Sequence, residues 1–323
     1  NTKAMRYSDI EIAKPFAITL DMNLSLFPEG DKEILGLVKF DGNRIAHKKQ
    51  NIILDNFTGD ISFTREDWYG EGIQAVFDGM QVGVVLNGGL DDPNYDTQFR
   101  MTGTSDATQL SSYLERYSPL IHGWLTVGRD SSTIVGQLPW KAVLTIPAAS
   151  SQQKSTPQRL TIESSLIGLD VDLPWPFGKS RGERKPLVIR SETFANGDRH
   201  LRVDFGSTVD VEVAQVKLPD GSFETHRAEF VFGKQTPKFL NNPGLTAHGE
   251  IDRLPLNEWI VFANAAQKSM GHATTNEPAT FDVKIQKLET LGRTFADTQL
   301  VGRRDEMGWS IDISGPKALG TIA

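Results

Sequence analysis

Six histidines, at positions 47, 122, 200, 226, 248 and 272, are the first candidates for metal or acid–base chemistry. A metal site on one element needs two ligands a strand step or a helical turn apart, and no two histidines stand at such a spacing, so no metal site is expected. Cysteine is absent, which excludes thiolate ligands and disulfides. Carboxylates do come in pairs: Asp91 with Asp92, Asp170 with Asp172, and Asp210 with Glu212. The last two pairs have strand spacing, and two carboxylates about 7 Å apart could serve as acid and base in an inverting glycosidase. Their alternating neighbours are apolar, however (Leu169, Val171 and Leu173; Val209, Val211 and Val213), so the acids are expected to form only the solvated faces of their strands. Trp68, Tyr69, Trp124, Trp140, Trp175, Trp259 and Trp309 could stack on sugar rings, but most lie on the apolar parity of a strand or helix and are expected to pack. Trp175, held between Pro174 and Pro176, is the exception. No phosphate-binding loop, dinucleotide fingerprint or nucleophile elbow occurs, so neither an enzyme nor a cofactor is expected.

The elements that carry these residues are overwhelmingly strands. Phe16, Ile18, Leu20, Met22, Leu24 and Leu26 alternate with Thr19, Asp21, Asn23 and Ser25, the period of a long strand with one wet face. Shorter alternation recurs over Phe57–Phe63, Ile73–Phe77, Val82–Leu86, Leu201–Phe205, Val209–Val213, Phe281–Ile285 and Trp309–Ile313. Asp41-Gly42, Asp78-Gly79, Asn196-Gly197 and Asp220-Gly221 tolerate positive φ and predict hairpins, hence an antiparallel meander. A parallel sheet would need crossover helices, and only two segments, near 105–117 and 255–268, have a helical pattern. Each follows a strand, a faint repeat of strand, helix and strand. Residues 148–157 read as an exposed loop between sections 1–147 and 158–323, and the prolines from Pro174 to Pro186 keep that stretch out of the middle of a sheet.

Composition agrees with a folded β protein: 38% of the 323 residues are hydrophobic and the net charge is −7. The cations are dispersed rather than clustered, so nucleic acid is not an expected partner. No run approaches the roughly 18 apolar residues of a membrane helix, and the first residues, Asn-Thr-Lys-Ala-Met, read as the start of an internal piece of a longer chain.

The stretch Ser164-Ser165-Leu166-Ile167-Gly168-Leu169-Asp170-Val171-Asp172-Leu173-Pro174-Trp175-Pro176-Phe177-Gly178-Lys179, followed by Lys185-Pro186-Leu187, resembles a motif of the YhdP-like proteins of the AsmA-like family. Phe57–Thr64, Pro243–Trp259 and Leu291–Ile311 fit the same resemblance in order along the chain. The resemblance implies an interior section of a bridge-like lipid transporter, anchored in the inner membrane by parts absent here and lying in the periplasm. Its fold would be mainly β, a long antiparallel meander curled into an elongated, taco-like groove with two short helices. Its partners would be phospholipid acyl chains and, through the rest of the protein, the two membranes. The lining expected from strand parity is Phe16, Ile18, Leu20, Met22, Leu24 and Leu26, then Phe57, Ile61, Phe63, Ile73, Phe77, Val82, Val84 and Leu86, then Leu201, Val203, Phe205, Val209, Val211 and Val213.

The chemistry suits such a role. Sheltering two chains of about sixteen carbons requires on the order of 25 kcal/mol of apolar contact at about 0.8 kcal/mol per methylene. About fifteen to eighteen strands roughly 4.8 Å apart extend 70 to 85 Å, several lipid lengths. A row of interchangeable Leu, Ile, Val and Phe side chains shelters a tail without trapping it. The same alternation also fits a closed β-sandwich acting as a passive periplasmic scaffold, and a glycan-binding or glycan-cleaving sheet built on Trp175 and the carboxylate pairs.

Overall fold

The computed structural model describes residues 10–24, 32–47, 52–89, 96–117, 133–147, 156–221, 223–233, 235, 237, 243–270, 278–305 and 308–322. The described strands form one 19-stranded sheet accompanied by two helices, the mainly β architecture expected from the alternation. Contacts divide the chain into two compact units that interleave in sequence. Unit 1 comprises residues 1–105, 139–162 and 192–195; unit 2 comprises 106–138, 163–191 and 196–323. Leu26, Asp91, Asp92, His122, Trp124 and His272, named above, lie outside the described residues, as does most of the loop 148–157.

Unit 1 is a run of antiparallel pairings. The strands are β1 (Ile10–Ala13), β2 (Ala17–Leu24), β3 (Lys32–His47), β4 (Ile52–Thr64), β5 (Asp67–Phe77), β6 (Met80–Gly89) and β7 (Thr97–Asp106). Each pairs with the next from β2 to β7. Asp78-Gly79 makes the expected two-residue hairpin between β5 and β6, with both residues at positive φ and Phe77 paired with Met80.

Asp41-Gly42 does not turn the chain. Strand β3 runs straight through it, and the register with β4 shifts on either side of Asn43, so the dipeptide sits in a β-bulge. The cause lies across the strand. β1 pairs with Arg44–His47 and β2 with Lys32–Lys39, so β1 and β2 form one line along β3, broken at Lys14-Pro15, where Lys14 has φ 73° and Pro15 has no N–H to donate. Asn43 fills the break. Its side chain is fully buried, and its Nδ2 donates to the carbonyls of Ala13 (3.2 Å), Lys14 (3.1 Å) and Pro15 (3.1 Å). Its Oδ1 accepts from Asp41 N–H at 2.9 Å. Lys14 Nζ closes the clasp on Gly42 O at 2.7 Å.

In unit 2, β12 (Arg199–Phe205), β13 (Val209–Lys217) and β14 (Phe223–Phe232) are antiparallel, as are β16 (Ala279–Thr290), β17 (Arg293–Asp305), β18 (Gly308–Gly315) and β19 (Ala318–Ile322). Between them the meander is interrupted. β15 (Gly244–Pro255) pairs parallel with both β14 and β16. The second of these parallel pairings is bridged by α2 (Leu256–Met270), so this helix is a crossover within a βαβ unit rather than an ornament on a meander. The other helix, α1 (Ala107–Tyr117), follows β7; Asp106 Oδ1 accepts from Gln109 N–H at 2.8 Å, a capping bond at its start. The turn between β16 and β17 is Leu291-Gly292, both at positive φ, with Leu291 almost wholly exposed. A leucine in that position carries no turn signal in the sequence.

Replacing Asn43 with Ala strands three carbonyls inside the sheet, and we expect a loss of about 1–3 kcal/mol, read as a lowered urea midpoint followed by tryptophan fluorescence. Asn43→Asp, which turns a carboxylate on those carbonyls, is expected to lose at least as much at neutral pH. A midpoint unchanged in both variants contradicts the role assigned to this side chain.

Candidate functional site

Register places the apolar side chains of unit 1 on one face. Ile18, Leu20 and Met22 of β2 stand opposite Val38, Gly36 and Ile34 of β3, and Gly36 and Val38 stand opposite Phe63 and Ile61 of β4. The face continues through Phe63 with Trp68, Trp68 with Gly88, Ile73 with Val84, and Val84 with Met101. It is not uniform in depth. Phe16, just before β2, and Ile18, Leu20 and Met22 on it are 41–58% exposed, whereas Phe57, Ile73, Val82 and Val84 are at most 1% exposed. Between these extremes Ile61, Phe63 and Phe77 are half-buried, and Leu86 is buried. Trp140, Leu160 and Ile162, from β8 (Ile134–Ile146) and β9 (Gln158–Ser164), pack on the buried part. A small cavity of about 40 Å³ beside it is lined only by Ile10, Ile45, Ile52, Leu54, Val84, Phe99, Met101 and Leu144.

Polar side chains enter this interior at Thr97 and Ser105 of β7. Trp140 Nε1 donates to Ser105 Oγ at 2.7 Å, and Ser105 Oγ lies 2.7 Å from Met80 Sδ.

Leu201, Val203 and Phe205 of β12 stand opposite Val213, Val211 and Val209 of β13, and Val209 stands opposite Phe232 of β14, so these six expected residues also share one face within unit 2. That face is not bare. The stretch 174–179, irregular in sequence, is an ordered loop laid over apolar side chains. Trp175 packs on the cluster of Ile251, Val283, Ile285 and Leu288. Its carbonyl accepts from Trp259 Nε1 of α2 at 2.9 Å, and the Phe177 ring stacks on Phe205 and meets Trp259 edge-on. Trp175 is thus half-buried and held in place, the arrangement of a packing residue and not of a sugar platform.

Two buried lysines hold this loop. Lys179 Nζ donates to the carbonyls of Leu166 (2.9 Å), Leu169 and Ser180 (2.8 Å), and Val171 and Lys179 exchange both backbone hydrogen bonds. Lys185 Nζ donates to Pro176 O and sits 4.6 Å from the centre of the Phe205 ring. Burial pushes both ammonium groups below their ordinary pKa, opposed by the charge of Glu183. Nothing in the spacing of Lys179 and Lys185 marks them as interior residues, since lysine alone in a polar stretch reads as surface.

The carboxylates sort differently from expectation. Asp170 and Asp172 are exposed, as their parity requires. Asp210 is half-buried and Glu212 is 9% exposed, so this pair is not a solvated face. They lie on the face opposite Val209 and Val211, in a lattice of charge. Arg190 and Arg202 both donate to Asp204, Arg202 also approaches Glu212 at 4.0 Å, and His248 Nε2 lies 2.7 Å from Oε1 of the buried Glu229. Burial was invisible to parity because cross-strand partners supply the compensating charge. Asp204 stands directly opposite Asp210. Burial alone would raise the Asp204 carboxyl, but hydrogen bonds from Arg190 and Arg202 outweigh it and hold the group below 3.8. Burial raises Asp210 above 3.8, and hydrogen bonding to and the charge of Asp204 add to the rise; burial likewise raises Glu212. Among the described residues no group of histidines and carboxylates is arranged to hold a metal ion.

Within each unit, register gathers apolar side chains on one sheet face, open at β2 in unit 1 and covered by the 174–179 loop in unit 2, and this defines a mainly β protein. Residues 6–323 match the family described as YhdP protein, and the chain belongs to that family, within the AsmA-like group. No curated protein and no solved structure matches the chain. Among the described residues no helix is long and apolar enough to cross a membrane.

Lys179→Met removes the donor for three carbonyls, and trypsin is expected to cut at the exposed Arg181 and Arg184 about tenfold faster, the effect of leaving buried acceptors unpaired. An unchanged cleavage rate contradicts the clasp. Asp210 binds its proton more tightly folded than unfolded, so it adds stability below 3.8 that is lost as pH rises through its raised value. Asp204, depressed, does the reverse below 3.8. Asp210→Asn is therefore expected to raise the melting temperature at neutral pH and to shrink the gain that wild type shows on mild acidification. Parallel melting curves from neutral pH to about pH 4 would contradict this.

Proposed function

We propose that this chain is a periplasmic section of a bridge-like protein, anchored in the inner membrane elsewhere in its length, that carries phospholipid between the inner and outer membranes along the apolar sheet face. The observation that carries the reading is the row Phe16, Ile18, Leu20 and Met22, four large apolar side chains 41–58% exposed on a face that continues in register, mostly apolar or glycine, from β2 to β7. Exposed apolar surface of this continuity marks an interaction site, and a surface made mostly of apolar side chains suits hydrocarbon. Membership in the YhdP family supports the same reading, and that family is not one of known enzymes. The role proposed is shelter and passage, with no bond made or broken.

A second reading has its own support. Phe57, Ile73, Val82 and Val84 are covered to the degree of a sealed core, which is what a passive scaffold would need. One experiment separates the two. Photo-crosslinking residues at Leu20 and Phe63 should capture phospholipid in cells, and Asp21, on the other face of β2, should not. Phospholipid should also be found by mass spectrometry in the gently extracted protein. Absence of lipid from both measurements removes the conduit and leaves the scaffold.

A further inference from the structure

Glycine weakens strand interiors, yet the apolar face carries it repeatedly, and at those positions a neighbouring strand supplies an aromatic ring. Gly36 stands directly opposite Phe63, Gly88 opposite Trp68 and, in unit 2, Gly302 opposite Phe281. In each pair the ring lies over the glycine. A Cβ at Gly36 would fall 2.0 Å from Phe63 Cζ, one at Gly88 2.7 Å from Trp68 Cε2, and one at Gly302 2.1 Å from Phe281 Cε1. Gly103 and Trp140 repeat the arrangement at 2.8 Å. None of the four glycines has a left-handed φ, so backbone conformation does not require glycine there; the ring does. All four rings are half-buried, so each also presents surface to whatever lies on the face.

We infer that these glycine–aromatic pairs set the height of the apolar floor and so the rate at which an acyl chain moves across it, an inference that rests on the lipid reading above. A ring laid flat on backbone adds one van der Waals layer, about 3.5–4 Å, with no branch for a methylene to lock against. An upright branched pair at the same two positions holds the same volume as ridge and gap. The pairs recur in both units, on the apolar face each time, and a fixed floor height over successive strands is what a path needs and a core does not. A sealed core tolerates a volume-conserving exchange of its side chains with modest loss of stability.

The test exploits that difference. Gly36→Val with Phe63→Leu approximately conserves volume while replacing one flat ring by two upright branched side chains. Transfer of a fluorescent phosphatidylethanolamine between vesicles of phosphatidylethanolamine and phosphatidylglycerol is followed for the 323-residue chain and its variants, together with melting temperature and bound lipid. The double variant is expected to keep its melting temperature and lipid content but to transfer about fourfold more slowly, the factor that corresponds to one methylene at about 0.8 kcal/mol. Gly83→Ala, on the opposite face, where a Cβ would meet only Thr102 Oγ1 at 3.2 Å, is expected to transfer at the wild-type rate. Gly302→Val with Phe281→Leu repeats the test in unit 2 should the first double variant not fold. A folded double variant that transfers at the wild-type rate overturns the inference and leaves the conduit standing. A wild-type chain that neither holds nor transfers lipid overturns the conduit and the inference with it.

Discussion

A strand has two sides, and a slip of one residue in register exchanges them. That constraint governs this chain more than any single contact, because the apolar face exists only if parity is kept from strand to strand. Leu20, Gly36 and Phe63 form one line across β2, β3 and β4, and Trp68, Gly88 and their neighbours continue the face. The clasp around Asn43 matters for the same reason. A bulge in β3 and a break in its partner strand would each disturb parity alone; together, with one amide side chain tying three carbonyls of the break to the bulge, they leave Phe40 and Phe57 in edge-on contact on the buried side.

Polar load is carried where it leaves that face intact. In unit 2 the ion pairs of Arg190, Arg202, Asp204 and Glu212 occupy the opposite side of β12 and β13 from Val203 and Val211. Where cations do enter the interior, at Lys179 and Lys185, they bind backbone carbonyls, which carry no net charge and need donors in any case. Each lysine thus satisfies several acceptors of a proline-interrupted loop that cannot form a ladder of its own. The loop in turn brings Trp175 and Phe177 onto the apolar side chains beneath it, so the apolar face of unit 2 is partly occupied by the chain itself.

Period-two alternation made the strands legible from the residues alone, and Asp78-Gly79 and Asp220-Gly221 made the β5–β6 and β13–β14 hairpins legible, because these signals are local. Asp41-Gly42 carries the same local signal and gives a bulge instead, since the alternative, continued pairing of β3 with β4 and with the broken line of β1 and β2, is a long-range choice. The parallel placement of β15 was hidden for a related reason: the helix after Pro255 looks the same in sequence whether it caps a sheet or crosses it. Parity located the side of Asp210 and Glu212 correctly but not their burial, which depends on arginines from other strands. The glycine–aromatic pairs were least visible of all. Gly36 and Phe63 are far apart in sequence, and each alone reads as a weak strand residue and an ordinary core residue.

The graded exposure of the unit 1 face bears on what kind of site this is. A pocket evolved for one ligand concentrates polar anchors at one place and buries most of the ligand surface there. Here a wholly apolar cavity is small, about 40 Å³, whereas a larger recess of about 310 Å³ is bordered mostly by polar side chains such as Glu250, Lys284, Gln286 and Gln299. Hydrocarbon gains nothing from that recess. It gains from area, at about 25 cal/mol per Å², and area is what the face from β2 inward supplies. Under the proposed function, such a surface would shelter hydrocarbon in proportion to the length covered, with no preferred stopping point where its relief is low. The burial of Phe57 and Val84 then sets the closed side of the face, the exposure of Ile18 and Met22 sets the open side, and the flat rings of Phe63 and Trp68 lie between them.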